Sequence, residues 1–142
     1  MHSSAINKFK IQSKNFKIIK EINKGAFGVV YDVKEKETGK HYAAKVINTG
    51  KSKQSREMVN REVQIMMRVS HPTLIGFLGF STTDFSGNKN VTVFMELTEN
   101  GSLEDVLEKA EKGLADINYD NTARQIILVG ISYGMMILHK NY

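Results

Sequence analysis

The stretch Ile22–Tyr31 has the sequence INKGAFGVVY and places two glycines three residues apart. The glycines lie between two segments that have the composition of β-strands, and the second segment is rich in β-branched residues. Two interpretations are open. The glycines either form only a hairpin turn, or they leave backbone N–H groups bare so that these can face phosphate oxygens. Residues further along the chain bear on the choice.

Spaced glycines also occur in dinucleotide-binding folds, where the loop follows a strand and opens a helix. In this sequence Gly28 opens a strand, so that class of fold is excluded. What remains, besides the plain turn, is a glycine loop that joins two antiparallel strands and folds over a nucleotide, with Phe27 as its cap.

Lys45 favours the nucleotide interpretation. It lies in the apolar segment YAAKV, where a charged side chain is costly unless it is paired. The alternative is a lysine at a solvent-facing position of the strand. A paired lysine close to the glycine loop would neutralise phosphate charge. The following helix offers two carboxylates, of which Glu62, set among apolar residues, is favoured over Glu57, which has Arg56 beside it. An ordinary solvent-exposed helix pair is the other interpretation.

Hydrophobic periodicity predicts the order of the elements. Strands are predicted at residues 16–22, 28–34, 41–48, 74–81 and 91–97, and helices at 54–69, shortly after Ser102, and at 122–139. One helix inserted after the third of five mostly antiparallel strands is an α+β arrangement, not an alternating βαβ one. The last helix is apolar around much of its circumference, which is typical of a helix buried on most sides; left bare, it would be a patch for self-association or for another chain.

Composition excludes several functional classes. The chain has 142 residues, of which 41% are hydrophobic and 25% charged, as in a soluble domain. The net charge is +5, but the lysines are scattered, so no nucleic-acid partner is expected. Because cysteine is absent, thiolate metal sites are excluded. The most apolar run is too short to span a bilayer and no secretory signal is present, so we predict a cytoplasmic protein without membrane contact.

Four segments, in this order, resemble the N-terminal half of a eukaryotic-type protein kinase domain. GAFGVV resembles its glycine-rich loop, and YAAK resembles the strand motif that carries a phosphate-binding lysine. REVQIMMRVSHPTLIGFLGF resembles the glutamate helix with the turn and strand after it, and VFMELTENGSLEDVL resembles the hinge and the start of the large lobe. The segment ENGSLEDVL resembles the tyrosine-kinase-like or tyrosine-kinase branches of the family.

The resemblance covers about Phe16–Tyr142 and implies a domain organisation. Residues 1–14 would be a flexible N-terminal extension, and residues 15–97 a small lobe with a five-stranded antiparallel sheet and one helix. Residues 98–101 would form the hinge, and residues 102–142 the first two helices of the large lobe. The implied reaction is transfer of the ATP γ-phosphate to a protein Ser or Thr hydroxyl, with Tyr as the second choice.

The resemblance also implies residue roles. Lys45 would bind the α- and β-phosphates of ATP, with Glu62 as its ion-pair partner. Met95 would stand behind the adenine as gatekeeper, while the Glu96 carbonyl and the Thr98 amide would hydrogen-bond the adenine edge. Met66 and Phe77 match the apolar column between the glutamate helix and the sheet. The complete implied ATP-binding set is Ile22, Asn23, Lys24, Gly25, Ala26, Phe27, Gly28, Val29, Val30, Ala43, Lys45, Met95, Glu96 and Thr98.

Two departures from the family pattern matter. Asn23 replaces the first glycine of the loop, although Asn tolerates left-handed backbone angles better than most residues. The sequence stops at MMILHKNY, before the place of the family's catalytic loop, so we expect no counterpart of the catalytic-loop and D-F-G aspartates with which the family accepts a proton and holds Mg²⁺. Asp84–Gly87 is no substitute, because it falls before the hinge and contains an inserted serine. We therefore predict no metal ligands and no phosphoryl transfer by these 142 residues alone. A non-catalytic, pseudokinase-like module that binds a protein partner, or a truncated gene product, is the alternative.

Overall fold

The computed structural model describes residues 6–48, 53–99, 101–114 and 119–141. Parts of the predicted N-terminal extension, hinge and large-lobe segment lie outside these described residues. A 3₁₀ turn at Ser13–Asn15 comes first. The elements that follow are β1 (Phe16–Gly25), β2 (Gly28–Glu35), β3 (His41–Ile47), α1 (Lys53–Arg68), β4 (Phe77–Ser81), β5 (Thr92–Glu96), α2 (Leu103–Glu111) and α3 (Asn121–Asn141). The predicted order is confirmed, with bounds shifted by a few residues.

The strands of the described ranges form one five-stranded antiparallel sheet in the order β1-β2-β3-β5-β4. Side chains alternate between its faces, as the pleat requires. On one face Ala43 and Ile47 of β3 pack with residues of α1, and on the other face Ala44 packs with Phe16 and Phe94. The predicted α+β fold class is confirmed.

Helix α1 lies on the first of these faces. Val59 and Val63, one helical turn apart, are both buried in the cluster, and Met66 and Met67 are partly buried against it. These positions recur every three or four residues, which is why the pattern predicted a helix. The same spacing fixes which side of the helix faces the sheet.

The N-terminal segment differs from the predicted flexible extension over residues 6–14. Phe80 of the edge strand β4 exchanges backbone hydrogen bonds with Phe9 and Ile11, and Ser13 is buried and donates to the Thr83 carbonyl. An edge strand offers unpaired backbone groups, and the apolar side chains of this otherwise polar segment find a surface beside it. The segment is therefore held along the sheet edge.

The chain divides into two compact units, one containing the sheet and α1, and the other containing His71–Leu74 and the chain from Thr98 onward. Within the second unit, Ser102 caps α2 in a capping box with Asp105, as the sequence predicted. The ring of Tyr133 in α3 lies 5.0 Å from the ring of His71, and Gly134 is the one buried residue of α3.

Among the described residues, α3 is not buried on most sides, and much of its apolar circumference is exposed. Most of its large apolar side chains are exposed, for example 67% at Ile126 and 66% at Val129, whereas Ile127, Ile137 and Leu138 are partly buried. No helix in the described ranges combines the length and apolar content needed to cross a membrane.

Candidate functional site

A lysine–glutamate ion pair lies between the sheet and α1. Lys45 sits opposite Val30 in β2 and Val93 in β5, and strand alternation places it on the face that α1 covers. Its ammonium nitrogen lies 2.9 Å from the Glu62 carboxylate oxygen. The side chains are 29% and 44% exposed, so the ammonium has Glu62 as its partner and remains partly open to solvent.

The packing of α1 explains why Glu62 is the partner. Val59 and Val63 face the sheet, and Glu62 lies three residues after the first and one before the second. It therefore projects from the edge of the buried stripe toward β3. Glu57 is exposed on the same helix. The structure thus brings together Lys45 and the carboxylate that the sequence favoured.

The β1–β2 hairpin carries the glycine pair. Gly25 and Gly28 are directly opposite each other, so Ala26 and Phe27 form the turn between them. Phe27 is 75% exposed at the tip, and its carbonyl accepts a hydrogen bond from the Asn48 amide. The hairpin therefore projects beyond the rest of β1 and β2 and is joined to the end of β3.

The two glycines meet different structural demands. Gly28 has a φ of +143°, and a Cβ placed there would lie 2.0 Å from the Val46 carbonyl oxygen, so only glycine fits. At Gly25, φ is not positive and a Cβ would meet nothing within 4 Å. The turn alone therefore explains Gly28 but not Gly25, whose bare backbone borders open space.

The other predicted loop residues lie in register on the two strands. Asn23 pairs with Val30 and Lys24 with Val29, whereas Ile22 falls in an irregularity of β1 and is 45% exposed. Asn23 does not use the left-handed backbone region that motivated its interpretation, because the described non-glycine residues contain no positive φ. It occupies an ordinary strand position beside the hairpin.

Apolar side chains lie beside Lys45 on the same face of the sheet. Ala43 pairs directly with Met95, and both are buried, while Val30 sits opposite Lys45 and is partly buried. Met66 of α1 and Phe77 of β4 pack against the same cluster. Three of the residues that the family resemblance assigned to ATP binding, Val30, Ala43 and Met95, therefore share one face of the sheet, and the two residues of the apolar column pack against that face.

At the end of β5, Glu96 makes a contact that sequence reasoning missed. The Gly76 amide donates to its carboxylate at 2.8 Å, and the Glu96 amide donates to the Gly76 carbonyl at 2.8 Å. This reciprocal pairing holds the chain before β4 against the end of β5. The predicted adenine-binding roles of the Glu96 carbonyl and of Thr98, which belongs to the second unit, stay predictions.

A second polar pair was also missed. The Asp32 carboxylate, 8% exposed, lies 2.7 Å from Nδ1 of His41, and the β2–β3 register puts both residues on the face that carries Lys45. The pair satisfies a carboxylate that is costly to bury alone. Asp32 inside the apolar segment GVVYDV was the feature of the sequence that could have indicated such a pair.

Asp84, which begins the D-F-S-G sequence, has a structural role in the loop before β5. One of its carboxylate oxygens accepts from the backbone amides of Ser86 and Asn88, and the other from the side-chain amides of Asn88 and Asn90. Partial burial alone would raise the pKa of Asp84, but these hydrogen bonds outweigh it and lower the pKa below its ordinary value. Its acceptor capacity is used within the loop.

The family resemblance implies a Mg²⁺ ion beside the phosphates of the nucleotide. Within the described parts of the chain, no three His, Asp or Glu side chains gather in a way that would hold a metal ion. No step is therefore assigned to a metal ion.

An antiparallel sheet with a glycine hairpin, and a lysine on its third strand paired to a glutamate on the helix that follows, is the arrangement of the small lobe of protein kinases. A family model described as "Protein kinase domain" matches residues 16–142, and the chain belongs to this family, of which it covers the N-terminal half.

Several curated relatives are serine/threonine kinases by name. Serine/threonine-protein kinase 10 of Mus musculus is 30% identical over 127 residues, which cover 89% of this chain and 13% of the relative. Calcium-dependent protein kinase 33 of Arabidopsis thaliana is 34% identical over 134 residues, covering 89% and 24%. Myosin light chain kinase A of Dictyostelium discoideum is 31% identical over 131 residues, covering 90% and 42%. The chain thus spans less than half the length of each of these relatives.

Proposed function

We propose that this chain forms the ATP-binding part of a protein kinase that transfers the γ-phosphate of ATP to a Ser or Thr hydroxyl of a protein substrate. The observation that carries the proposal is the 2.9 Å ion pair of Lys45 and Glu62. The name of one of these relatives, serine/threonine-protein kinase 10, supports the Ser/Thr assignment, and Tyr stays the second choice. A cytoplasmic location belongs to the same proposal.

In this proposal Lys45 neutralises negative charge on the α- and β-phosphates, and Glu62 keeps its ammonium in place. The backbone around Gly25 approaches the phosphates, where no Cβ stands in the way. Ile22 and Val30 lie over one face of the adenine and Ala43 lines its pocket. Met95 stands behind the base and limits the depth of the pocket. These residues bind and orient the nucleotide, which is most of what a phosphoryl-transfer site supplies.

Thermal melting with and without excess ATP–Mg²⁺ tests this proposal. A ligand that binds only the folded chain stabilises it by about RT ln(1 + [L]/Kd), so the midpoint should rise with nucleotide concentration. Lys45→Ala should abolish the rise. Lys17→Ala is the matched control, because Lys17 is exposed at the end of β1 away from the hairpin, and it should leave the rise intact. A folded wild-type chain whose midpoint does not respond would refute nucleotide binding.

A non-catalytic binding module is the second candidate function, favoured by the exposed apolar face of α3. Ile126, Val129 and Met136 are each at least half exposed there. Contiguous apolar surface of this kind favours association with another chain. Light scattering over a concentration series would test it: association that Val129→Gln weakens, in a chain that gives no nucleotide response, favours this candidate over the first.

A further inference from the structure

Residues 6–11, here called the N-terminal strap, run along the edge of the sheet. The Phe80 amide donates to the Phe9 carbonyl at 2.9 Å, and the Ile11 amide donates to the Phe80 carbonyl at 2.8 Å. The strap crosses β4 at Gly79, where a Cβ would lie 2.5 Å from both the Phe9 oxygen and the Ile11 side chain. The glycine thus permits an approach that any other residue would block.

Side chains of the strap reach both faces of the sheet. Ile6 and Phe9 pack against the cluster that contains Val59 and Val63 of α1, and the rings of Phe9 and Phe77 lie 5.6 Å apart. Ile11 packs instead against the cluster on the opposite face. The strap therefore packs Ile6 and Phe9 on the face of the sheet that α1 covers and Ile11 on the opposite face.

Ile6 lies beside the part of α1 that carries Glu62. Ile6 borders a cavity of about 230 Å³ together with Val63 and Met67, and Val63 directly follows Glu62 in the helix. Glu62 reaches Lys45 from one side of α1, so rotation of α1 about its axis would carry the Glu62 carboxylate away from the Lys45 ammonium. Glu62 itself is nearly half exposed, so burial of its own side chain does not fix it.

We infer that the N-terminal strap is a positioning element: by packing Ile6 and Phe9 against the α1 side of the sheet, it sets the rotation of α1 and so keeps Glu62 against Lys45. The inference rests on the proposed function wherever it concerns nucleotide affinity. Its structural part, that the strap holds α1, stands independently of what the ion pair binds.

Phe9→Ala and Ile11→Ala are matched variants, because each truncates one apolar strap residue but on opposite faces of the sheet. Hydrogen exchange of the intact chain should show lower protection of α1 amides in Phe9→Ala and little change there in Ile11→Ala. ATP affinity should fall about fivefold or more in Phe9→Ala and stay near the wild-type value in Ile11→Ala. If Phe9→Ala does not fold, Ile6→Ala takes its place.

A Glu62→Gln background separates positioning from general stability. If the strap acts through Glu62, Phe9→Ala should cost no further ATP affinity in that background. The inference is overturned if both strap variants change α1 protection equally, or if the affinity loss is the same with Gln at position 62. A wild-type chain that binds no nucleotide refutes the proposed function, and the exchange comparison then still decides whether the strap holds α1.

Discussion

At the scale of single residues, Gly25 and Gly28 show that glycine can occur at two positions of one motif for different physical reasons. A side chain at Gly28 would collide with the Val46 carbonyl, and its φ lies in a region that other residues avoid. Gly25 has neither constraint. A turn that needed only tight geometry would not select glycine at both positions, so the bare backbone at Gly25 is the part of the motif that the proposed nucleotide explains.

This difference predicts opposite phenotypes for two alanine substitutions. Gly28→Ala should lower the free energy of unfolding by about 1–3 kcal/mol, through the strained backbone and the forced displacement of β3. Gly25→Ala should change it by less than about 0.5 kcal/mol but should weaken the stabilisation by ATP. Urea unfolding with and without nucleotide measures both. Equal loss of stability in the two variants would contradict the distinction.

Asp84 gives a prediction about pH. Hydrogen bonds to its carboxylate hold its pKa below the ordinary 3.8, so its contribution to stability is present above that pH and is lost as pH falls through the lowered pKa of the folded chain. Asp84→Asn replaces one of the two accepting carboxylate oxygens by an NH₂ group that faces N–H donors, and should lower the free energy of unfolding by about 1–2 kcal/mol at neutral pH. The difference between wild type and variant, measured by urea unfolding, should shrink below pH 3.8. A difference that stays constant down to pH 2, well below that ordinary pKa, would show that the loop does not depend on the charge.

At the scale of elements, the predictions from the sequence succeeded for features that a local sequence pattern determines. The three- and four-residue spacing around Val59 and Val63 fixed α1, and its apolar stripe placed Glu62 correctly beside Lys45. The Asp32–His41 pair and the contact of Glu96 with Gly76 were missed, because they depend on which strands become neighbours. The strap was missed for the same reason: the apolar residues of segment 6–11 gain meaning only beside the edge of β4.

Helix α2 is an element whose stability should depend on its cap. It has no buried residues, so tertiary packing contributes little, and the Ser102–Asp105 capping box satisfies its first amides. Ser102→Ala should lower the helix stability by about 1 kcal/mol and increase hydrogen exchange in Leu103–Glu111. Ser102→Thr, which keeps the hydroxyl, is the control and should retain most of the protection. Unchanged exchange in Ser102→Ala would mean that other contacts hold the helix.

At the scale of the whole molecule, apolar burial is distributed unevenly between the two units. The sheet unit has two clusters of buried side chains, one on each face, whereas α3 in the other unit buries only Gly134 among its described residues. Local stability follows buried apolar area. The slowest-exchanging amides are therefore expected in β2, β3 and β5, and those of α3 should exchange sooner despite the length of the helix.

Phe94 and Tyr133 allow the independence of the two units to be tested. Phe94 is fully buried, with the Phe16 ring 4.5 Å away, and Phe94→Ala should cost about 3–5 kcal/mol. Because its packing partners all belong to the sheet unit, protection should fall in β1–β5 while α3 changes little. Tyr133→Ala, which removes the contact with His71, should affect only the second unit. If Phe94→Ala instead lowers protection in the sheet and in α3 by the same factor, the two units unfold as one cooperative structure.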